Sequence, residues 1–168
     1  MLRRKPNGQK AVEVIVYIAT QTQDLFHIVK VMYFADKKHL ARYGRFILGD
    51  RYIAMEDGPV PSGLYGIFRY ARGDRVFTFE APTSGAFRME DDETVVPLRE
   101  PDTTWLSQSE IECIDESLAE NAHLSYDELW EKSKDGAWWR VPQGAEISLV
   151  DIARDLPDSK ALVDYLLS

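Results

Sequence analysis

Two stretches near the start of the chain repeat apolar residues at the spacing of an α-helix. In residues 8–22 the apolar positions fall at i, i+3, i+4 and i+7, which marks one face of a helix. A second stripe begins after Asp24, a good N-cap residue, and runs to Gly44, which is typical of a helix C-cap. These signals predict two consecutive helices and exclude an all-β fold.

Helix start signals recur in the last third of the chain. Two Ser-x-x-Glu segments, Ser107–Glu110 and Ser125–Glu128, have the spacing of a capping box. In a capping box the serine oxygen accepts an early backbone N–H, and the glutamate reaches back to the backbone N–H of the serine. Ser148 begins a weaker version of this pattern. Residues 107–168 are therefore predicted to form a series of short helices.

Short apolar runs between these helices indicate a small amount of β-structure. Residues 46–48 and 52–55 are apolar and are separated by Gly-Asp-Arg, which predicts a hairpin. Residues 75–79 alternate like a strand, and segment 74–106 is predicted to form a second hairpin or an ordered excursion. The predicted fold class is mainly α (α+β): one compact helical domain over residues 1–168, with one or two small antiparallel hairpins.

Charge is distributed unevenly along the chain. The formal net charge is −8, which opposes indiscriminate binding to nucleic acid or to an anionic membrane. Residues 1–51 nevertheless hold ten Lys/Arg against four Asp/Glu, whereas residues 52–168 hold ten against 24. A basic first third is thus joined to an acidic remainder, and this division requires a structural or functional explanation.

The motif content argues against catalysis, cofactors and metals. The sequence contains no P-loop, no dinucleotide-binding glycine pattern and no nucleophile elbow. Cys113 is the single cysteine, and its spacing from the three histidines matches no zinc motif. No signal-peptide cleavage site follows the basic N-terminus, and no apolar run is long enough to span a membrane. We therefore predict a cytoplasmic protein that is not an enzyme and has no catalytic, cofactor, metal or membrane-binding site.

His39 and Asp36 lie three residues apart on the second predicted helix, so their side chains are neighbours. A histidine oriented by a carboxylate is a general-base arrangement, which makes a hydrolase one hypothesis. The alternative interpretation is a surface pair near the helix C-terminus. Because no nucleophile is evident nearby in the sequence, the surface pair is the favoured interpretation.

Two groups of residues are candidates for partner binding. Adjacent Trp138 and Trp139 cannot easily both face a core, so one of them can be an exposed interface anchor, as tryptophan often is. The favoured interpretation is that one tryptophan lies in the core and the other covers a loop. A basic cluster at the end of the second helix can bind phosphate, can steer an acidic protein partner, or can pair internally with the acidic part of the chain. Its members are Lys38, Arg42, Tyr43, Arg45 and Arg51.

The segment from Val31 to Gly66 carries the most specific pattern in the chain. It includes VMYFADKKHLARYGR from Val31, ILGDRYIAM from Ile47 and GPVPS from Gly58. This segment closely resembles the signature of the Panacea-domain family, the SocA/GepA-like antitoxins.

Two further segments are similar to the same family. LSQSE, ending at Glu110, looks like the family's helix start, and residues 129–138 resemble its last characteristic segment. Lys134 stands where the family often has a histidine, so no role of that histidine is carried over. Residues 74–106 match no part of the signature, and we expect the acidic residues 90–93 within them to make partner-specific contacts.

The resemblance implies an antitoxin of a toxin–antitoxin system, which binds a cognate protein toxin by direct protein–protein contact. Some relatives act as adaptors that deliver the toxin to a protease, so a protease complex is a second expected partner, and a homodimer stays open. A nucleic-acid-binding regulator using the basic first third is the alternative function, although the net charge makes nucleic acid an unexpected partner.

Overall fold

The computed structural model describes residues 7–74 and 82–168, which form a mainly helical fold with two small antiparallel sheets and so confirm the predicted fold class. The first part contains α1 (Gly8–Ala19), α2 (Leu25–Tyr43), β1 (Tyr52–Met55), β2 (Gly58–Pro61), α3 (Ser62–Ala71), β3 (Phe87–Met89) and β4 (Val95–Pro97). The second part contains a 3-10 turn (Thr103–Trp105), α4 (Gln108–Asn121), α5 (Tyr126–Ser133), α6 (Gly136–Trp139), β5 (Glu146–Ile147), α7 (Leu149–Arg154) and α8 (Lys160–Leu167).

Helix α2 begins and ends at the residues that its capping signals predict. The Asp24 carboxylate accepts a hydrogen bond from the backbone N–H of His27. Gly44 ends the helix in the left-handed conformation with a φ of 75°. Glycine adopts that conformation without the steric penalty that a Cβ brings. Both predictions are therefore confirmed.

Helix α2 is buried on opposite faces and separates two apolar clusters. One face, which includes Val31 and Met32, packs with α1, α3 and α4. The other face, which includes Tyr33 and Leu40, packs with β1, α5 and α7. Each large apolar side chain buried in this way stabilises the fold by about 1.5–3 kcal/mol. Helix α2 therefore lies between the two clusters and contributes buried side chains to both.

The first hairpin forms from different residues than the sequence predicts. Strands β1 and β2 pair with each other, whereas residues 46–48 are buried without regular secondary structure. The predicted pairing is wrong because carboxylates, not a partner strand, satisfy this loop. The Asp36 carboxylate accepts from the backbone N–H of Ile47 at 2.7 Å, and the Asp50 carboxylate accepts from that of Gly63 at 2.8 Å.

The hairpin is attached to the rest of the chain on two sides. Strand β5 pairs with the free edge of β1, with Tyr52 opposite Ile147, and gives the strand order β2–β1–β5. On the other side, Gly58 has a φ of 103°, and a Cβ there would lie 2.8 Å from Lys30 Nζ and 2.5 Å from Ser133 Oγ. Only glycine lets the hairpin pack this closely on α2 and α5.

The remaining predicted elements are largely confirmed. Strands β3 and β4 form the second hairpin, while the strand predicted at residues 75–79 lies outside the described residues. Both capping boxes are present, at Ser107–Glu110 and Ser125–Glu128, and the Ser148 hydroxyl caps α7. The last helix follows Ser159, whose side chain makes no capping bond.

Candidate protein-binding surface

The cations that the basic cluster contributes to α2 are paired with carboxylates of α4. Lys38 Nζ lies 2.9 Å from Glu120 Oε1, and Arg42 Nη2 lies 2.6 Å from Glu116 Oε2. The hydrogen bond between Arg42 and Glu116 raises the pKa of the arginine and lowers the pKa of the glutamate. The basic end of α2 therefore already has its counterions within the chain.

A buried carboxylate at the start of α4 extends this pairing to α1. Glu110 is only 2% exposed and accepts from Lys10 Nζ at 2.7 Å and from Arg45 Nη1 at 3.0 Å. Burial alone would raise the pKa of Glu110, but the hydrogen bonds from Lys10, the Ser107 backbone N–H and Arg45 together lower it. We call Lys38, Arg42, Arg45, Glu110, Glu116 and Glu120 the ion-paired face.

The last two members of the basic cluster lie in different surroundings. Arg51 Nε lies 3.8 Å from a carboxylate oxygen of Glu146 on β5. Tyr43 is half-exposed, and its ring lies 4.7 Å from that of His39. Of the three alternatives, internal pairing thus describes Lys38, Arg42 and Arg45, whereas Arg51 Nε makes no hydrogen bond among the described residues. A contact of any of these five residues with a partner stays a prediction.

Asp36 is buried rather than at the surface, and it holds the hairpin against α2. Its carboxylate accepts from the Tyr52 hydroxyl at 2.6 Å as well as from the backbone N–H of Ile47. Burial raises the pKa of Asp36 to about 7, against the opposing effect of these two hydrogen bonds. A carboxyl engaged in this way links α2 to the hairpin and makes no bond to His39.

His39 is buried as well, and it bridges α2 to the start of α4. Its Nδ1 lies 2.8 Å from the Arg45 carbonyl oxygen, and its Nε2 lies 3.0 Å from Ser109 Oγ. A carbonyl oxygen can only accept, so Nδ1 carries the proton and Nε2 accepts from the serine hydroxyl. Burial lowers the pKa of His39. The expected surface pair is therefore wrong, and the carboxylate-oriented base of the hydrolase hypothesis is not formed.

The two adjacent tryptophans differ in exposure, as the sequence predicts. Trp139 is 71% exposed, whereas Trp138 is half-buried and its Nε1 donates to the Met55 carbonyl oxygen at 2.9 Å. Their rings stand edge-on with centroids 4.7 Å apart. Asp135 fixes their position, because its carboxylate accepts from the backbone N–H of Trp138 and from the Tyr33 hydroxyl.

These tryptophans are part of a longer aromatic surface that the sequence analysis missed. Lys134 Nζ lies 3.4 Å from the ring centroid of Trp130 and 4.6 Å from that of Trp138. One turn earlier on α5, the Tyr126 ring packs on Phe26 with centroids 4.3 Å apart. The signal was the spacing of residues 126 and 130, which places them one turn apart on the same face of α5, with Lys134 directly after the helix. We call Met55, Tyr126, Trp130, Trp138 and Trp139 the aromatic strip.

The aromatic strip has the composition of a protein-binding surface. Tyr126, Trp130 and Met55 are between 38% and 47% exposed, in addition to the more exposed Trp139. Tryptophan and tyrosine are enriched among the residues that contribute most to binding energy at interfaces. A contiguous group of exposed aromatic side chains marks an interaction site more strongly than single scattered ones.

A groove of about 760 Å³ adjoins the aromatic strip, between the start of α2, the first hairpin and α3. Met55 and Tyr126 belong to both features. The other apolar and aromatic lining residues are Leu25, Phe26, Val29, Ile53, Val60 and Tyr65. Five carboxylates also line it: Asp24, Glu56, Asp57, Asp92 and Glu93. We call this feature the acidic groove.

A buried lysine forms part of the groove wall. Lys30 has no solvent exposure, and its Nζ donates to the Pro59 carbonyl oxygen at 2.9 Å and lies 5.1 Å from the Phe26 ring centroid. Burial lowers the pKa of Lys30 to about 7, although the nearby charge of Asp57 raises it. This lysine thus differs from the surface cations, which keep contact with water.

The fold and this surface define a mainly helical protein in which four of the exposed large side chains lie in an aromatic strip beside an acidic groove. The profile of a family described as "Antitoxin SocA-like, Panacea domain" matches residues 28–140. The chain therefore belongs to this antitoxin-like family, which confirms the resemblance seen in the sequence. Searches of curated proteins and of solved structures found no match.

Two chemical features of the described residues bear on other functions. Cys113 is buried, and burial raises the pKa of its thiol, as expected for a packing residue. Within residues 7–74 and 82–168, no three His, Cys, Asp or Glu side chains are grouped to hold a metal ion. Over the same ranges, no helix combines the length and apolar character needed to cross a membrane.

Proposed function

We propose that this protein is a cytoplasmic antitoxin that neutralises a cognate protein toxin by direct binding, without catalytic turnover. The observation that carries the proposal is the aromatic strip, whose five residues all lie within the range that matches the antitoxin family. Trp139 supplies its most exposed anchor, and Lys134 holds Trp130 and Trp138 on either side of one ammonium group. A surface of this kind suits a stoichiometric complex with another protein.

The test is co-expression with the protein encoded by the adjacent gene. We expect the pair to restore growth that the adjacent product alone arrests, and we expect the two proteins to co-purify as a stable complex. Absence of both rescue and co-purification would sink the proposal. If rescue requires a host protease and the toxin disappears over time, the protein acts as an adaptor that delivers the toxin for degradation. Neutralisation by binding alone would need no protease.

A tryptophan comparison locates the binding surface. Trp139→Ala should weaken the complex about tenfold to a hundredfold, as expected for an interface anchor. Trp105→Ala is the matched control, because Trp105 is 42% exposed but lies on the 3-10 turn next to α1. Equal affinities of the two variants, measured by calorimetry, would place the toxin elsewhere on the molecule.

A further inference from the structure

The acidic groove continues the proposed binding surface beyond the aromatic strip. Met55 and Tyr126 line the groove and also belong to the strip, so a partner that covers the strip reaches the groove without a gap. A cavity of about 760 Å³ has the size of a site for a few side chains rather than for a whole domain. The feature therefore fits a segment that projects from a partner.

The groove has a surplus of negative charge that is not neutralised within the described part of the chain. Glu56, Asp92 and Glu93 make no side-chain hydrogen bond or ion pair with residues 7–74 or 82–168. Two of its three cations share one counterion, because Arg69 and Arg72 both donate to the same oxygen of Asp74, at 3.4 and 3.0 Å, and Arg72 also donates to the backbone carbonyl oxygen of Asp92 at 3.4 Å. The third cation, Lys30, is buried and donates to a backbone carbonyl oxygen.

The apolar part of the lining restricts the partner further. Leu25, Val29, Ile53 and Val60 all line the groove, so an occupant must offer aliphatic surface as well as positive charge. Lysine and arginine side chains supply both, because their apolar stems pack on apolar surface while their charged ends stay at the rim. The same carboxylates would repel the phosphates of a nucleic acid.

We propose that the toxin inserts a segment into the acidic groove in which lysine or arginine residues alternate with aliphatic ones. This inference rests on the proposed function, because the occupant is a part of the bound toxin. The cations of the segment pair with Glu56 and Glu93, and its aliphatic side chains pack on Val29 and Val60. Complementary charge at such a rim mainly accelerates association and sets the register of the complex.

The experiment is charge reversal in the full chain, with binding to the protein of the adjacent gene measured by surface plasmon resonance. Glu56→Lys combined with Glu93→Lys removes two carboxylates that have no partner among the described residues. Glu100→Lys combined with Asp164→Lys is the matched control, because both side chains are exposed and likewise unpaired within the described ranges, and the net charge changes equally. Thermal unfolding of all variants checks that they are folded.

We expect the groove variant to lose at least tenfold in affinity, mostly through slower association, and to show a weaker dependence on salt. The control should stay within about twofold of the original chain, since it alters only the overall charge. Carbodiimide, which joins carboxylates directly to amines, should link Glu56 or Glu93 to lysines of one toxin segment.

The outcomes separate this inference from the proposed function. If the groove variant binds as tightly as the control, the groove is not the docking site, although the toxin complex itself stands. If the unaltered chain does not bind the adjacent product at all, the proposed function fails first. If cross-links join the groove to a second copy of this chain instead, the groove is a dimer contact and the toxin-segment inference is overturned.

Discussion

The ion-paired face and the aromatic strip lie on different elements and have opposite relations to their surroundings. On the ion-paired face, every cation meets a carboxylate of α4, and the buried Glu110 accepts from Arg45 and also from Lys10 of α1. On the aromatic strip, large apolar rings stay exposed, and Trp139 is the extreme case. A cluster of charges in a sequence can thus form ion pairs between helices of the same chain. Aromatic residues that are dispersed in the sequence can instead come together as a surface that a partner can reach.

The largest expected effect concerns Asp36, which fixes the hairpin that supplies Met55 to the strip. Its folded-state pKa of about 7 is above its ordinary value, so its stabilising contribution is complete below about pH 4 and is lost as the pH rises to 7. Between about pH 4 and 7, the free energy of unfolding of the original chain should fall by roughly 3 kcal/mol more than that of Asp36→Asn. Urea titrations at several pH values measure this difference, and parallel curves for the two proteins would contradict it.

The next effect tests whether the ion-paired face is structural. Glu110→Gln removes the buried charge that Lys10 and Arg45 share, and it should lower the free energy of unfolding by about 2 kcal/mol. Glu112→Gln, two residues further along α4 and exposed, should change it by less than about 0.5 kcal/mol. If urea denaturation gives equal changes in the free energy of unfolding for the two variants, the buried ion pairs of Glu110 add no more stability than an exposed glutamate does.

A smaller effect tests the aromatic strip without removing a ring. Lys134→Met takes away the cation between Trp130 and Trp138, which is worth about 0.5–1 kcal/mol, so toxin affinity should fall about twofold to fivefold. The tryptophan emission should shift as the two indoles reorient. Lys160→Met, at the exposed start of α8, is the control. An affinity loss of the same size in both variants would point to overall charge instead.

The smallest effect is expected for the exposed ion pair between Arg42 and Glu116. A double-mutant cycle to alanine should give a coupling of about 0.5 kcal/mol that disappears at high salt, since both side chains contact water. Toxin affinity in Arg42→Ala separates the two roles of Arg42, because loss of a purely internal ion pair leaves the affinity unchanged. A tenfold loss of toxin affinity in Arg42→Ala would show that the toxin contacts the basic cluster, and it would contradict the assignment of the ion-paired face to internal structure.

The predictions that succeeded depend on short-range chemistry. Asp24 and Gly44 bound α2 because a cap needs only its own helix end, and the capping box at Ser107–Glu110 is likewise local. The first hairpin was assigned to the wrong residues, because β1 pairs with β2 on the far side of residues 52–55 and not with residues 46–48. Strand β1 pairs with Ile147, and the Asp36 carboxylate occupies the backbone N–H that a strand pairing at residue 47 would use.

The candidate site could be predicted only in part, because some of its contacts join residues that are distant in sequence. That Trp138 and Trp139 differ in exposure followed from their adjacency, which is a local argument, but the structure alone shows that Trp139 is the exposed one. The counterions of Lys38 and Arg42, by contrast, lie on α4, more than 70 residues away in the chain. Tyr126 follows a capping serine on a short helix, and only its packing on Phe26 shows that it ends the aromatic strip beside a groove.

The pairing of β5 with β1 has a practical consequence for where the chain can be shortened. A fragment trimmed to residues 28–140, the span of the family match, would lose β5 and leave one edge of β1 without its hydrogen-bonding partner. It would also lose α1 and α7, which help to cover the two apolar clusters. An open strand edge beside uncovered apolar surface is a template for self-association. Such a fragment should aggregate, and its precipitation could be mistaken for evidence that the matched region does not fold.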